Sequence, residues 1–140
     1  MGPETDFFGR YDHSLDSKGR LILPVRIRHR LGSLCFLTPH LEGCLAIWPP
    51  ETFRAEVELR RASAVDAITR NQVREWSSAV DETEIDPHGR ILIAADLRGY
   101  AALEREVVIV GVIDHVELWS PPIWNAKALV PAGADVSSGA

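Results

Sequence analysis

Two short stretches of the 140-residue chain carry one polar pattern: Asp16-Ser17-Lys18-Gly19-Arg20 and Asp86-Pro87-His88-Gly89-Arg90. An aspartate opening a turn can hydrogen-bond the turn's own backbone, and a glycine near its end supplies a positive φ at no steric cost. The arginine after the glycine is not needed for the turn. It lies four residues beyond the aspartate, within reach of an ion pair across the turn. Its guanidinium suits paired hydrogen bonds with a phosphate or with O6 and N7 of guanine. A single copy reads equally well as an ordinary turn with an exposed ion pair. Two copies that keep Asp, Gly and Arg, while the interior changes from Ser17-Lys18 to Pro87-His88, point instead to a pair of aspartate-braced arginine tips that contact nucleic acid.

Other reactive residue types form no comparable pattern. Cys35 and Cys44 could pair with His40 or His115 as a thiol nucleophile and its base. However, no Gly-rich nucleotide loop or nucleophile elbow accompanies them, and Cys35 falls inside an apolar strand, where an inert thiol is expected. The five histidines, His13, His29, His40, His88 and His115, show none of the spacings of a metal site, so neither a metal nor another cofactor is expected. Arg26-Ile27-Arg28-His29-Arg30 is a basic cluster that serves equally as a phosphate contact or as a solvated helix face.

The elements that must hold the two turns are themselves repeated. Residues 15–23 match 85–93 at an offset of 70, and Leu45-Ala46-Ile47-Trp48 matches Val116-Glu117-Leu118-Trp119 at an offset of 71. Each copy reads as an approach strand (10–15 in the first), the turn, a β-branched and leucine-rich strand (20–23), a short helix and two further strands. The helix opens at Pro24 and ends at Gly32 in the first copy; 94–98 precede Gly99 in the second. Strand 34–37 should pair with 45–48, and 107–110 with 116–119. Between the copies, 51–79 is helical with a break near Ser63-Ala64 and with Phe53, Val57, Val65, Ile68 and Trp76 facing inward. A short helix around 123–128 follows the second copy. The division expected is a first repeat at 7–53, connecting helices at 54–80, a second repeat at 81–124 and a disordered tail at 125–140, with Trp48 and Trp119 as core or interface residues.

With 46% apolar and 25% charged residues, this is the balance of a soluble globular protein, and no apolar run approaches the ~20 residues of a membrane span. No signal peptide is read at the N-terminus, so a cytoplasmic location is expected. The net charge of −5 argues against strong non-specific DNA binding, but the cations crowd the first thirty positions while the acids concentrate in the middle, and phosphate binding follows local charge.

The paired turns, the opening Phe8-Gly9-Arg10-Tyr11-Asp12-His13-Ser14-Leu15-Asp16 and the closing Val110-Gly111 with Val116-Glu117-Leu118-Trp119 resemble the MraZ family, within the wider AbrB-like swapped-hairpin group. The resemblance spans about 7–124. It implies an α+β, mostly β fold of tandem pseudo-symmetric swapped-hairpin repeats joined by helices, a ring-like homo-oligomer and a nucleoid-associated DNA-binding regulator rather than an enzyme. Its DNA would be direct repeats in its own promoter, ahead of the division and cell-wall gene cluster. By carry-over, Arg20 and Arg90 contact the DNA, Asp16 and Asp86 orient the loops, Lys18 and Gly19 belong to the first loop, and His88 and Gly89 to the second. The alternative within the group is an antitoxin that binds DNA and a toxin partner.

Overall fold

A computed structural model of the chain describes residues 6–127. The first repeat contributes β1 (Arg10–Ser14), β2 (Arg20–Ile22), α1 (Val25–Leu31), β3 (Leu34–Pro39) and β4 (Leu45–Trp48). Helices α2 (Pro50–Ser63) and α3 (Ala67–Ser78) follow. The second repeat contributes β5 (Asp81–Glu84), β6 (Arg90–Leu92), α4 (Ala95–Tyr100), β7 (Glu106–Gly111) and β8 (Val116–Trp119), and α5 (Pro121–Lys127) closes the described chain.

The repeats are woven together. One antiparallel sheet runs β1-β7-β8-β4-β3-β5, so each repeat's approach strand pairs with the other repeat's third strand; β2 and β6 form a separate two-stranded ribbon. A turn like that at Asp16 ordinarily closes a hairpin between its flanking strands. Instead β1 and β2 share only the Leu15–Leu21 bridge, because β1 is taken up along its length by β7 and β2 by β6. The expected pairs β3–β4 and β7–β8 both form.

Strand register locates a pseudo-twofold axis. In the ribbon Arg20 faces Leu92, Leu21 faces Ile91 and Ile22 faces Arg90, a pattern that maps onto itself when the repeats are exchanged. In the sheet Leu45 faces Leu118, Ala46 faces Glu117 and Ile47 faces Val116. The axis therefore passes through the Leu21–Ile91 pair, the core, and the Ala46–Glu117 pair.

Alternation along the strands assigns the two faces of the sheet. Cys35, Leu37, Leu45, Ile47, Val107, Ile109, Val116 and Leu118 point into one cluster with Leu21, Leu23, Ile27, Ile91, Ile93 and Leu97, so the ribbon and helices α1 and α4 cover this face. Burying Leu21 and Ile91 contributes about 1.5–3 kcal/mol each and ties the ribbon down at its centre. On the opposite face Phe36 stacks on Phe53 of α2 at 4.2 Å, and Val108 and Trp119 pack with Ile123 and Trp124 of α5.

Four details of the helices differ from expectation. Val65 and Ile68 are 76% and 72% exposed rather than inward. A capping box between Asp66 and Thr69 sets where α3 starts, and the Phe53–Trp76 stack sets its rotation, so only its C-terminal half packs. Gly99 lies inside α4 rather than after it, because the left-handed reversal is made by Ala102 (φ 54°). Pro24 caps α1 instead of opening it. Of the tail expected at 125–140, residues 125–127 complete α5, and 128–140 lie outside the described residues.

Candidate nucleic-acid interface

The two turns are built alike to within 0.1 Å. The Asp16 N–H donates to the Arg20 carbonyl (2.9 Å) and the Gly19 N–H to the Asp16 carbonyl (3.0 Å); the equivalent bonds at Asp86, Gly89 and Arg90 are 3.0 and 2.9 Å. Asp16 Oδ1 accepts from the backbone N–H groups of Lys18 and Arg20, both at 2.9 Å, and its Oδ2 accepts from Arg20 Nε at 2.7 Å. Asp86 repeats this with His88 and Arg90 at 2.9, 2.9 and 2.8 Å. Each carboxylate thus fixes the loop backbone through one oxygen and the guanidinium through the other. The Arg20 N–H, foremost, and then the Arg20 side chain hold the Asp16 carboxyl down at about 2 against the cost of desolvation. Asp86 is lowered by the same partners in its own loop. Both loops therefore carry ionised aspartates at neutral pH.

Gly19 and Gly89 sit at φ values of +81° and +79°, the left-handed region that glycine enters freely. They are also points of close approach. A Cβ on Gly19 would lie 2.9 Å from Arg98 Cζ, and one on Gly89 would lie 2.8 Å from Arg28 Nη1. Arg28 Nη2 donates to the Pro87 carbonyl (3.0 Å), and Arg98 Nε donates to the Ile93 carbonyl (3.0 Å). The Gly89 carbonyl accepts from the Leu23 N–H (2.9 Å) and the Gly19 carbonyl from the Ile93 N–H (3.0 Å). Each loop is thus braced by the helix and strand of the opposite repeat.

With its Nε on aspartate, each loop arginine's side chain makes no other hydrogen bond among the described residues, leaving both terminal nitrogens to offer. Leu21 and Ile91 point into the core, so Arg20, Ile22, Arg90 and Leu92 share the ribbon's outer face, where Ile22 and Leu92 are each 54% exposed. Lys18 and His88 are exposed at the loop tips. The structure brings all eight expected site residues onto two adjacent, symmetry-related loops. It adds Arg98, Ile22 and Leu92, which sequence reading passed over, and gives Arg28 a definite place. The repeat alignment of Ile27-Arg28 with Leu97-Arg98 was the available signal for the two helix arginines.

The chain matches the family model described as "MraZ protein, putative antitoxin-like" over residues 7–75 and 78–128. The chain belongs to the MraZ family. Among its relatives, the Transcriptional regulator MraZ of a Nocardioides species is 44% identical over 123 residues, covering 86% of this chain and 84% of that protein. The protein of the same name from Heliobacterium modesticaldum is 42% identical over 120 residues, covering 85% and 84%. That from Pelotomaculum thermopropionicum is 44% identical over 120 residues, covering 85% and 83%. Membership places the chain among transcriptional regulators and not among enzymes. The thiols agree in their chemistry: Cys35 and Cys44 are fully buried, burial pushes the Cys35 thiol up to about 12, and it raises that of Cys44 as well, so neither is a ready nucleophile.

Proposed function

We propose that the chain regulates transcription by binding double-stranded DNA through the outer face of the β2–β6 ribbon. The observation that carries this reading is the pairing, across one pseudo-twofold axis on the ribbon's outer face, of two arginines that are each braced through Nε while their terminal nitrogens make no hydrogen bond among the described residues. The major groove admits a two-stranded ribbon. Diagonal neighbours on such a ribbon stand about 7–8 Å apart, so Arg20 and Arg90 span about two base-pair steps of roughly 3.4 Å. They act as bidentate donors to guanine or phosphate, with Lys18 and His88 at the edges reaching backbone phosphates. Ile22 and Leu92 offer the apolar contact that a thymine methyl group accepts. Arg28 and Arg98 act through the loops they brace.

One ribbon on an acidic chain binds weakly, and several on a ring-like homo-oligomer gain from effective concentration. Leu59, Val65, Ile68 and Leu41 are large, apolar and 68–76% exposed, an arrangement suited to contact with further copies of the chain. The DNA is a set of direct repeats in the chain's own promoter, ahead of the division and cell-wall gene cluster, spaced near one helical turn of about 10 bp. A regulator that acts at that promoter sits in the cytoplasm, on the nucleoid. The antitoxin reading draws on the wording of the family description and ranks second, because two repeats share one body here instead of one hairpin with a long wrapping tail.

The test is equilibrium binding to a duplex from that promoter at several salt concentrations. Arg20→Ala and Arg90→Ala should each weaken binding about 5–150-fold, from about 1–3 kcal/mol per bidentate contact, and flatten the salt dependence. Unchanged affinity in both variants would refute the ribbon as the contact. No preference of the folded protein for that DNA would move the weight to the antitoxin reading.

A further inference from the structure

The sheet face turned away from the ribbon holds a polar cluster on the pseudo-twofold axis. Glu117 is the repeat equivalent of Ala46 (117 − 46 = 71) and pairs with it in the β4–β8 register. A methyl group therefore stands where a second copy of Glu117 would otherwise be, which leaves room on that face for other side chains. His115, directly before β8, and His40, in the β3–β4 loop, fill it. Glu117 Oε2 lies 2.9 Å from His115 Nε2 and 3.7 Å from His40 Nε2. One ligand atom from each of the three residues lies within 4.8 Å of the other two. All three side chains are largely enclosed, at 13% (His40), 9% (His115) and 15% (Glu117) exposure.

We propose that His40, His115 and Glu117 form a binding site for a divalent transition-metal ion, preferentially Zn²⁺, on the sheet face opposite the ribbon.

Two imidazoles and one carboxylate are a recognised zinc donor set, and they leave a fourth position open. Ligand atoms around a tetrahedral zinc with bonds of ~2.0–2.1 Å stand roughly 3.3–3.4 Å apart, so the observed 2.9 and 3.7 Å require shifts of a few tenths of an ångström. The outer contacts that orient such ligands are also in place. His115 Nδ1 bonds Asp114 Oδ1 at 2.7 Å, the carboxylate–histidine arrangement that fixes which nitrogen faces a metal. Glu117 Oε1 accepts from Trp119 Nε1 at 3.0 Å, leaving Oε2 to the ion. His115 is further held by stacking on Trp48 at 4.6 Å. His40 supplies the independent sign. Neither of its ring nitrogens is hydrogen-bonded among the described residues: Nδ1 is buried without a partner, and Nε2 faces Glu117 beyond hydrogen-bond range. An ion at the centre of the cluster would give His40 Nε2 its partner and take the place of the 2.9 Å hydrogen bond between His115 Nε2 and Glu117 Oε2. Because His40 belongs to the first repeat and the other two to the second, the ion would clasp the halves together behind the DNA face.

The experiment is a titration of the full chain, freed of metal by chelation, with Co²⁺ as a spectroscopic probe, followed by displacement with Zn²⁺. The expected result is about one equivalent bound with the visible absorption of tetrahedral cobalt, bleached by Zn²⁺. Binding should be lost in His40→Gln and Glu117→Gln and retained in His13→Gln, with folding checked by circular dichroism. Asp114→Asn, at a mostly exposed side chain that only orients His115, should weaken Co²⁺ binding about 10–100-fold. Failure of the unsubstituted protein to bind either ion overturns the proposal, whatever the variants do. So does binding that survives both first substitutions, or an affinity unmoved in Asp114→Asn. DNA takes no part in this readout.

Discussion

Gly89 gives the sharpest test of how the loops are held, because two separable effects meet there. At φ +79° an alanine would be forced into the left-handed region, which costs about 1–2 kcal/mol for a residue with a Cβ. Its Cβ would also lie 2.8 Å from Arg28 Nη1 and 2.9 Å from Arg28 Cδ, so the arginine must move off the loop. Moving it breaks the 3.0 Å bond to the Pro87 carbonyl, worth about 0.5–1.5 kcal/mol. Gly89→Ala should therefore destabilise by about 2–3 kcal/mol, and Arg28→Ala alone by about 1 kcal/mol. The double variant loses that bond only once and has no arginine to displace, so it should cost about as much as Gly89→Ala alone, with a coupling near −1 kcal/mol. Urea denaturation of the four proteins, analysed at common m-value, measures this. Strict additivity would show that Arg28 does not brace the second loop. A Gly89→Ala cost under about 0.5 kcal/mol would refute the left-handed turn itself.

Ile22→Ser and Leu92→Ser should each lower affinity for promoter DNA about 5–30-fold, from ~1–2 kcal/mol of apolar contact, while leaving stability within about 0.5 kcal/mol because both side chains are exposed; equal affinity would place the ribbon face away from the bases. Carbon-13 titration of the Asp16 carboxyl should show a midpoint near 2, with Asp86 also below the usual carboxylate value. Because the folded value is depressed, this stabilisation is complete above about pH 4 and is lost as pH falls toward 2. Arg20→Ala should retain part of the Asp16 depression, since the foremost cause is the backbone N–H of residue 20, which alanine keeps; a full return to the ordinary value would reassign the effect to the guanidinium. Finally, Cys35 and Cys44 should resist alkylation at pH 8 until the protein is denatured, and rapid labelling of the native chain would contradict their burial.

What could be read in advance follows from how far each cause reaches along the chain. The Asp-x-x-Gly-Arg turns were legible because their hydrogen bonds close within four residues, and duplication separated the arginine from the needs of the turn. The strands of β3–β4 and β7–β8 were legible from apolar runs with short loops between them. Strand partnership beyond these was not. The residues of β2 alternate as well for a hairpin with β1 as for a ribbon with β6, and only the family resemblance carried the idea of a swap. Val65 and Ile68 fit a helical period, but period alone does not say whether a helix is covered along its whole length. His40 and His115 were weighed by spacing alone and not linked to each other or to Glu117, for a similar reason: 75 positions separate the histidines, and the axis that brings them together is a property of the sheet.

That axis yields one more consequence. Because each repeat lends its approach strand to the other, neither half can complete its sheet alone, yet either could in principle pair with a second copy of itself. The two halves differ at the centre. A dimer of residues 7–80 would place Ala46 against Ala46, two small apolar side chains that the β4–β8 contact already buries. A dimer of residues 78–127 would set Glu117 directly against Glu117 in a largely enclosed position. Like charges facing across strands are destabilising, and one carboxyl would have to take up a proton to remain there. The first fragment should therefore sediment as a folded dimer with its ribbon rebuilt from two copies of β2, while the second stays unfolded near neutral pH and gains structure only in Glu117→Ala. Equal behaviour of the two fragments would mean that the Ala46–Glu117 pair is not the centre about which the repeats are exchanged.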